Sequence, residues 1–263
     1  MNYDFQTLQV TRSGKVLTVT MHRPEKLNAI DEVMHTELSQ VFERVRQDEA
    51  AEVVVLTGAG RAFTAGGDTR WMQRMIDDAA LWRKTSREGR RIVLSLLDVE
   101  KPVIAKVNGP AAGLGASMAL MCDVIFASDQ ATIGDPHVRI GFVAGDGGAA
   151  IWPYLIGFAR AKEFLFTGEM LPAQKCAEMG LINHCVPHAE LDGRVQEFAE
   201  RLANGPIRAI SWTKMAVNAP LRALASKSMD TSINMEAMSN VSYDHQEAVR
   251  AFNEKRKPVF QGR

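Results

Sequence analysis

The chain has 263 residues, 46% of them apolar and 24% charged, with 31 basic and 31 acidic side chains that cancel. That length allows one large domain with a helical appendage, and the neutral balance argues against nucleic acid or an anionic membrane as the main partner. Apolar runs are short and broken by Gly, Asp or Lys, so no membrane span is expected, and "MNYDFQTLQV" lacks the pattern of a signal peptide.

In chain order, "FQTLQVTRSGKVLTVTMHR" reads as two β-rich runs around Ser13-Gly14, a hairpin. "DEVMHTELSQVFERVRQD" has apolar residues at helical spacing, with Asp31 as the N-cap. "AEVVVLTGAG", "EKPVIAKVNGP" and "CDVIFAS" read as buried strands, with helical stretches such as "EGRRIVLSLLDV" between them. This alternation predicts βαβ units and a largely parallel sheet. After about residue 150 strand signals nearly vanish. "RAKEFLFTG", "PAQKCAEMG", "ELDGRVQEFAERLAN", "PIRAISWTKMAVNA" and the stretch from Leu221 to Asn253 read as separate helices. The expected division is an α/β core over 1–200 and a helical region over 201–263. The apolar faces of the helical region need something to pack on, and a partner subunit is a reasonable candidate.

Cys122, Cys176 and Cys185 are odd in number, far apart and without a CxxC. They point to three structural thiols in a reducing cytoplasm, with neither a disulfide framework nor a cysteine metal site. His22, His35, His184, His188 and His245 show no ligand spacing and read as core or surface residues. No metal is expected.

Two glycine loops leave predicted strands and enter predicted helices: "GRAFTAGGDTRWM" and "VNGPAAGLGASMALMCD". Glycine lets a ligand approach the backbone, and helix N-termini offer free N–H groups at a positive dipole end. Two such ends at one pocket would bind a developing enolate or tetrahedral oxygen; tight turns and close packing are the alternative use of the same glycines. A third stretch, "GDPHVRIGFVAGDGG", carries His137 and Asp146 nine positions apart. They read either as an acid/base pair or as a turn histidine and a helix cap.

"RPEKLNAID", "VVLTGAGRAFTAGGD", "KPVIAKVNGPAAGLGASMALMCDVIFAS", "GEMLPAQKCAEMGLIN" and "FNEKRKPVFQGR" together resemble the crotonase superfamily, the enoyl-CoA hydratases and isomerases, over nearly the whole chain. The resemblance implies the ClpP/crotonase α/β fold of repeated ββα units with a helical C-terminal trimerisation region, often a dimer of trimers. It implies acyl-CoA thioester substrates, with coenzyme A as part of the substrate and no separate cofactor. The thioester oxygen would lie between the backbone N–H groups of Gly67 and Leu114. Ala65, Gly67, Asp68, Thr69 and Arg70 match the segment that contacts CoA and acyl group, Lys26 a region near the CoA nucleotide, and Lys257 and Phe260 a tail that covers a neighbouring subunit's CoA.

The sequence departs from the family where hydratases carry two glutamates, since those positions hold Ser117 and His137. Asp146 matches the proton-transferring aspartate of dienoyl-CoA isomerases and the nucleophile of the dehalogenase branch, and the His–Asp spacing resembles the β-diketone hydrolases. The leading expectation is an acyl-CoA hydratase/isomerase with Asp146 as acid/base helped by His137. The alternatives are a C–C bond or thioester hydrolase using the same pair, and an inactive acyl-CoA binder. Ser117 reads as a packing residue. Trp71, Met72, Phe142 and Trp152 are either acyl-pocket or core residues.

Overall fold

The computed structural model describes residues 3–263. Strands β1 (Leu8–Ser13) and β2 (Val16–Met21) pair antiparallel across the turn at Gly14, whose φ of +56° suits glycine. Helix α1 (Glu32–Gln47) starts where Asp31 accepts a hydrogen bond from Met34 N–H, the N-cap anticipated from sequence. Then come β3 (Val53–Gly58), α2 (Thr69–Asp77), α3 (Ala79–Leu97), β4 (Val103–Val107), the two-residue β5 (Ala111–Ala112) and α4 (Leu114–Leu120). β6 (Val124–Ser128), β7 (Thr132–Gly134), α5 (Gly148–Ile156) and α6 (Phe158–Thr167) follow. The chain continues through β8 (Leu171–Pro172), α7 (Ala173–Glu178), β9 (His184–Val186), α8 (Leu191–Ala203), α9 (Ile207–Asn240) and α10 (Tyr243–Asn253).

The main sheet runs β1-β2-β3-β4-β6-β9 and is parallel from β2 onward; β5-β7-β8 form a smaller sheet. Every residue of β3 is buried because both faces of the sheet are covered. Val54 and Leu56 point into a large core shared with α1 and α3, while Val53 and Val55 point to a second core closed by Leu191, Val195 and Ala199 of α8. The period of two along one strand feeds two cores. Among the described residues no helix is long and apolar enough to cross a membrane.

Two features of the C-terminal half differ from the sequence reading. Strands do not end near residue 150: the short β8 and β9 add edges to the two sheets, with β9 beside β6. Strands of two and three residues are too brief to show a periodic signal. Pro220 also does not separate two helices, because α9 runs straight through it. An internal proline removes one backbone bond and crowds the preceding turn. Packing of Leu221, Ala225 and Met229 against the main core holds the helix on past it, with Arg222 paired to Asp98 at 2.6 Å and Arg90 to Asp230 at 2.8 Å at the surface. The chain breaks instead at Val241, and Ser242 caps α10 by accepting from His245 N–H.

Candidate active site

After β7, Asp135 and Pro136 lead into a single 3-10 turn over His137–Ile140, which Gly141 ends in the left-handed region. This turn buries His137 to 8% exposure. Its Nδ1 is hydrogen-bonded to Oδ1 of Asp135, a side chain shut off from solvent. Its Nε2 lies 3.4 Å from Oδ2 of Asp146. Burial opposes a charge on the imidazole, but the two flanking carboxylates outweigh it and push the His137 pKa well above the ordinary histidine range.

Asp146 is not a helix cap. The residue at the cap position of α5 is Gly147, with no side-chain cap bond, and Asp146 Oδ1 is buried without a hydrogen-bond partner. A third carboxyl arrives from far along the chain. Glu236, on α9, is 5% exposed and lines the same cavity as His137 and Asp146. Burial, and then the charge of Asp146, drive its pKa well above the usual glutamate range, with Asp135 adding and His137 opposing. Glu236 therefore keeps its proton to higher pH than an ordinary glutamate.

Asp135, His137 and Asp146 also carry donor atoms that all lie within 4.8 Å of one another, close enough to suggest a metal site. Their directions argue otherwise. Asp135 faces one ring nitrogen and Asp146 the other, so no single ion on His137 could take both carboxylates. The arrangement is a carboxylate–imidazole–carboxylate chain that can hold and move a proton.

The two glycine loops form the facing wall. Gly67 and Leu114 line the cavity with His137, Asp146 and Glu236. Leu114 is the first residue of α4, so its N–H has no partner within the helix. The Gly113 loop presses on the imidazole: a Cβ at Gly113 would lie 3.1 Å from His137 Cε1. A second cavity, lined by Ala65, Gly67, Thr69, Met72, His137 and Phe252 among others, shares Gly67, Met72 and His137 with the first. The two meet at His137.

The remaining sequence candidates are spread out. Asp68 caps α2, accepting from Arg70 N–H at 3.0 Å, and lies 3.7 Å from Arg23. Lys26, Asp68 and Arg70 line a third, shallower groove together with Arg23 and Arg74. Lys257 and Phe260 lie on an exposed tail that folds back along α10, where Asp244 accepts from the N–H groups of Gln261 and Gly262. Neither lines the two cavities that meet at His137. Ser117 is fully buried on α4 and absent from the cavity wall. Trp71, Met72 and Phe142 line the cavity, whereas Trp152 is a core residue at 0% exposure.

Three titratable residues at this cavity carry little or no signal in the sequence. Asp135 sits in the quoted "GDPH" and was legible as a partner two positions from the histidine. His35 was read as core or surface, yet it lines the cavity from α1. Glu236, in "SINMEAMSN", has no local signal at all, because only the docking of α9 brings it to the site.

The family model described as enoyl-CoA hydratase/isomerase matches residues 11–263. The short-chain-enoyl-CoA hydratase of Clostridium acetobutylicum is 34% identical over 94% of this chain and 94% of that protein. A crystal structure of an enoyl-CoA hydratase/isomerase from Mycobacterium paratuberculosis aligns with a TM-score of 0.91 and 36% identity, covering 94% of this chain and 99% of the other. A β-diketone hydrolase from the cyanobacterium Anabaena sp. PCC 7120, bound to (S)-3-oxocyclohexyl acetic acid, aligns with a TM-score of 0.84 and 31% identity, covering 90% and 95%. The chain belongs to the enoyl-CoA hydratase/isomerase family and is an enzyme of that kind.

Proposed function

We propose that the enzyme moves a double bond, or adds water to one, in an acyl-CoA thioester. The observation that carries this reading is the His137–Asp146 contact of 3.4 Å in a cavity that Gly67 and Leu114 also line. The N–H groups of Gly67 and Leu114 bind the thioester oxygen and stabilise the negative charge it gains as an enolate. Asp146 takes the proton from carbon, and the C–H bond electrons move into the enolate. A proton returns to a different carbon from Asp146, or from the protonated Glu236, to which the proton on Asp146 then passes, and the isomerisation is complete. His137, charged between its two carboxylates, holds Asp146 in place for that transfer. Asp135 acts through His137, holding the ring, and is a positioning residue.

The pantetheine arm follows the second cavity past Ala65 and Thr69, and the nucleotide end reaches the Lys26–Arg70 groove. Coenzyme A enters as part of the substrate, and no further cofactor is required. A trimer or a dimer of trimers would bring the Lys257–Phe260 tail over a neighbouring site. Three free cysteines suit a cytoplasmic enzyme.

Isomerisation is favoured over hydration because the hydratase glutamate positions hold the buried Ser117 and His137. Hydration stays open through Asp146 and Glu236, two carboxyl groups that could hold one water. The test is incubation with crotonyl-CoA in D2O, followed by mass spectrometry, with Asp146→Asn alongside. Deuterium in the acyl chain, or hydrated product, absent from the variant, is the expected result. Deuterium uptake that persists undiminished in the variant would remove Asp146 from the chemistry.

A second reading, C–C bond hydrolysis, is favoured by the likeness to the Anabaena β-diketone hydrolase and by the same His–Asp pair. In it, the pair activates water for attack on a ketone. Release of a carboxylic acid from a cyclic β-diketone would select this reading.

A further inference from the structure

The cavity carries a second set of polar groups besides the His137–Asp146–Glu236 cluster. His35, on α1, is 3% exposed and lines the cavity with Trp71 of α2 and Gly89 of α3. The rings of His35 and Trp71 sit 5.0 Å apart, tilted by 50°. His35 Nδ1 is hydrogen-bonded to Glu88 Oε2 at 3.1 Å. An ionised carboxylate only accepts, so Nδ1 carries the proton and a neutral His35 presents a lone pair at Nε2. Burial raises the Glu88 pKa, but the hydrogen bond from His35, with Lys84 and Thr36, brings it below the usual range, which keeps the carboxylate ionised.

Two polar groups are thereby left over. Trp71 Nε1 is a buried donor with no hydrogen-bond partner, on a residue only 7% exposed. His35 Nε2 is an acceptor with no partner among the described side chains. Buried indole N–H groups ordinarily find a partner, so an orphan beside a cavity points to an absent group. Gly89 leaves the room. It sits inside a helix, where glycine lowers stability relative to alanine, and a Cβ there would meet only His35 Nε2, at 3.8 Å. Packing of the protein itself does not require glycine at this position.

We infer that His35, Trp71 and Gly89 form a subsite for a hydroxyl on the far part of the acyl group, accepting from the Trp71 indole N–H and donating to His35 Nε2. The substrates are then hydroxylated enoyl thioesters, either phenolic or with a terminal alcohol. This assignment rests on the acyl-CoA reading above for its substrate and on the cavity alone for its hydroxyl. A site built to pair a hydroxyl rejects the analogue that lacks it, because its own polar groups are left unpaired.

The test uses matched pairs: 4-hydroxycinnamoyl-CoA with cinnamoyl-CoA, and terminally hydroxylated with plain (E)-2-enoyl-CoA of equal length. The wild type is expected to favour one hydroxylated member by at least about tenfold in kcat/KM. That ratio should collapse towards one in Trp71→Phe and in Gly89→Ala, which fills the space beside Nε2 without a clash. In a second arm, the indole 15N–H signal of Trp71, assigned by its loss in Trp71→Phe, is followed while phenol or toluene is added. A shift with phenol and none with toluene supports the subsite. Equal turnover within every pair, with no phenol-selective shift, overturns it and leaves the acyl-CoA reading standing. If no thioester is turned over, the acyl-CoA reading fails and the phenol arm alone decides: a selective shift supports the subsite, and its absence overturns it.

Discussion

His137 is held between Asp135 and Asp146, and its chemistry follows from which charge each neighbour stabilises. Replacing Asp146 by Asn keeps the shape and removes the proton acceptor, so turnover should fall by about 10²–10⁴ while the melting temperature changes little. Asp135→Asn removes one of the two charges that raise the His137 pKa. The limb of the pH–rate profile that reports His137 should move to lower pH, with substrate binding kept, as expected of a positioning residue. Stability carries a signature as well. His137 and Glu236 both have folded pKa values above their ordinary ones, so the native state binds more protons than the unfolded chain. The contribution of His137 is full below the ordinary imidazole range and is lost as pH rises through its raised value. For Glu236 the loss begins above the ordinary glutamate value of 4.5. Glu236→Gln should therefore melt above the wild type at pH 8 and lose that advantage at pH 4, as read by thermal scans at both pH values. A 1 kcal/mol gain would appear as a shift of about 2–4 °C.

At the scale of elements, the site depends on how closely α9 approaches the loop before α5. Ser232 Oγ donates to the Gly145 carbonyl at 2.8 Å. A Cβ at Gly145 would lie 2.6 Å from both the Glu236 Cβ and the Ser232 carbonyl oxygen. Those are backbone and near-backbone atoms that cannot swing aside. Gly145→Ala should cost about 1–3 kcal/mol by overpacking, measured by urea unfolding, and should lower activity by displacing Glu236 from Asp146. Asp31→Ala tests a simpler element, since loss of the α1 cap should cost about 1 kcal/mol and leave the reactive cluster in place.

For the molecule as a whole, the apolar residues left outside form a case for assembly. Phe158, Phe166, Trp212, Val217 and Met238 are each more than 60% exposed, and several lie along α9. Exposed apolar area on this scale marks an interaction surface. Light scattering should report a mass of three or six chains; a monomer at all working concentrations would refute the trimer. Dilution to monomer should also weaken CoA binding, if the Lys257–Phe260 tail serves a neighbouring site.

Local chemistry wrote much of this protein into its sequence. The hairpin at Gly14, the Asp31 cap, the buried parallel strands and the two glycine loops each depend on residues within a few positions of one another. The His137–Asp146 pairing was legible as one of two readings, since a carboxylate just before a helix is equally suited to cap it. The fold excludes the cap, by placing Gly147 at the cap position, and sets Asp146 Oδ2 3.4 Å from the imidazole. Glu236 and the His35–Trp71 corner lay beyond the sequence for the same reason. Their places at the cavity come from α9, α1 and α2 meeting around it, and contacts between elements distant in the chain leave no periodicity or turn signal to read. Pro220 shows the converse: a strong local breaker is overridden when a long helix is held along its flank by its neighbours.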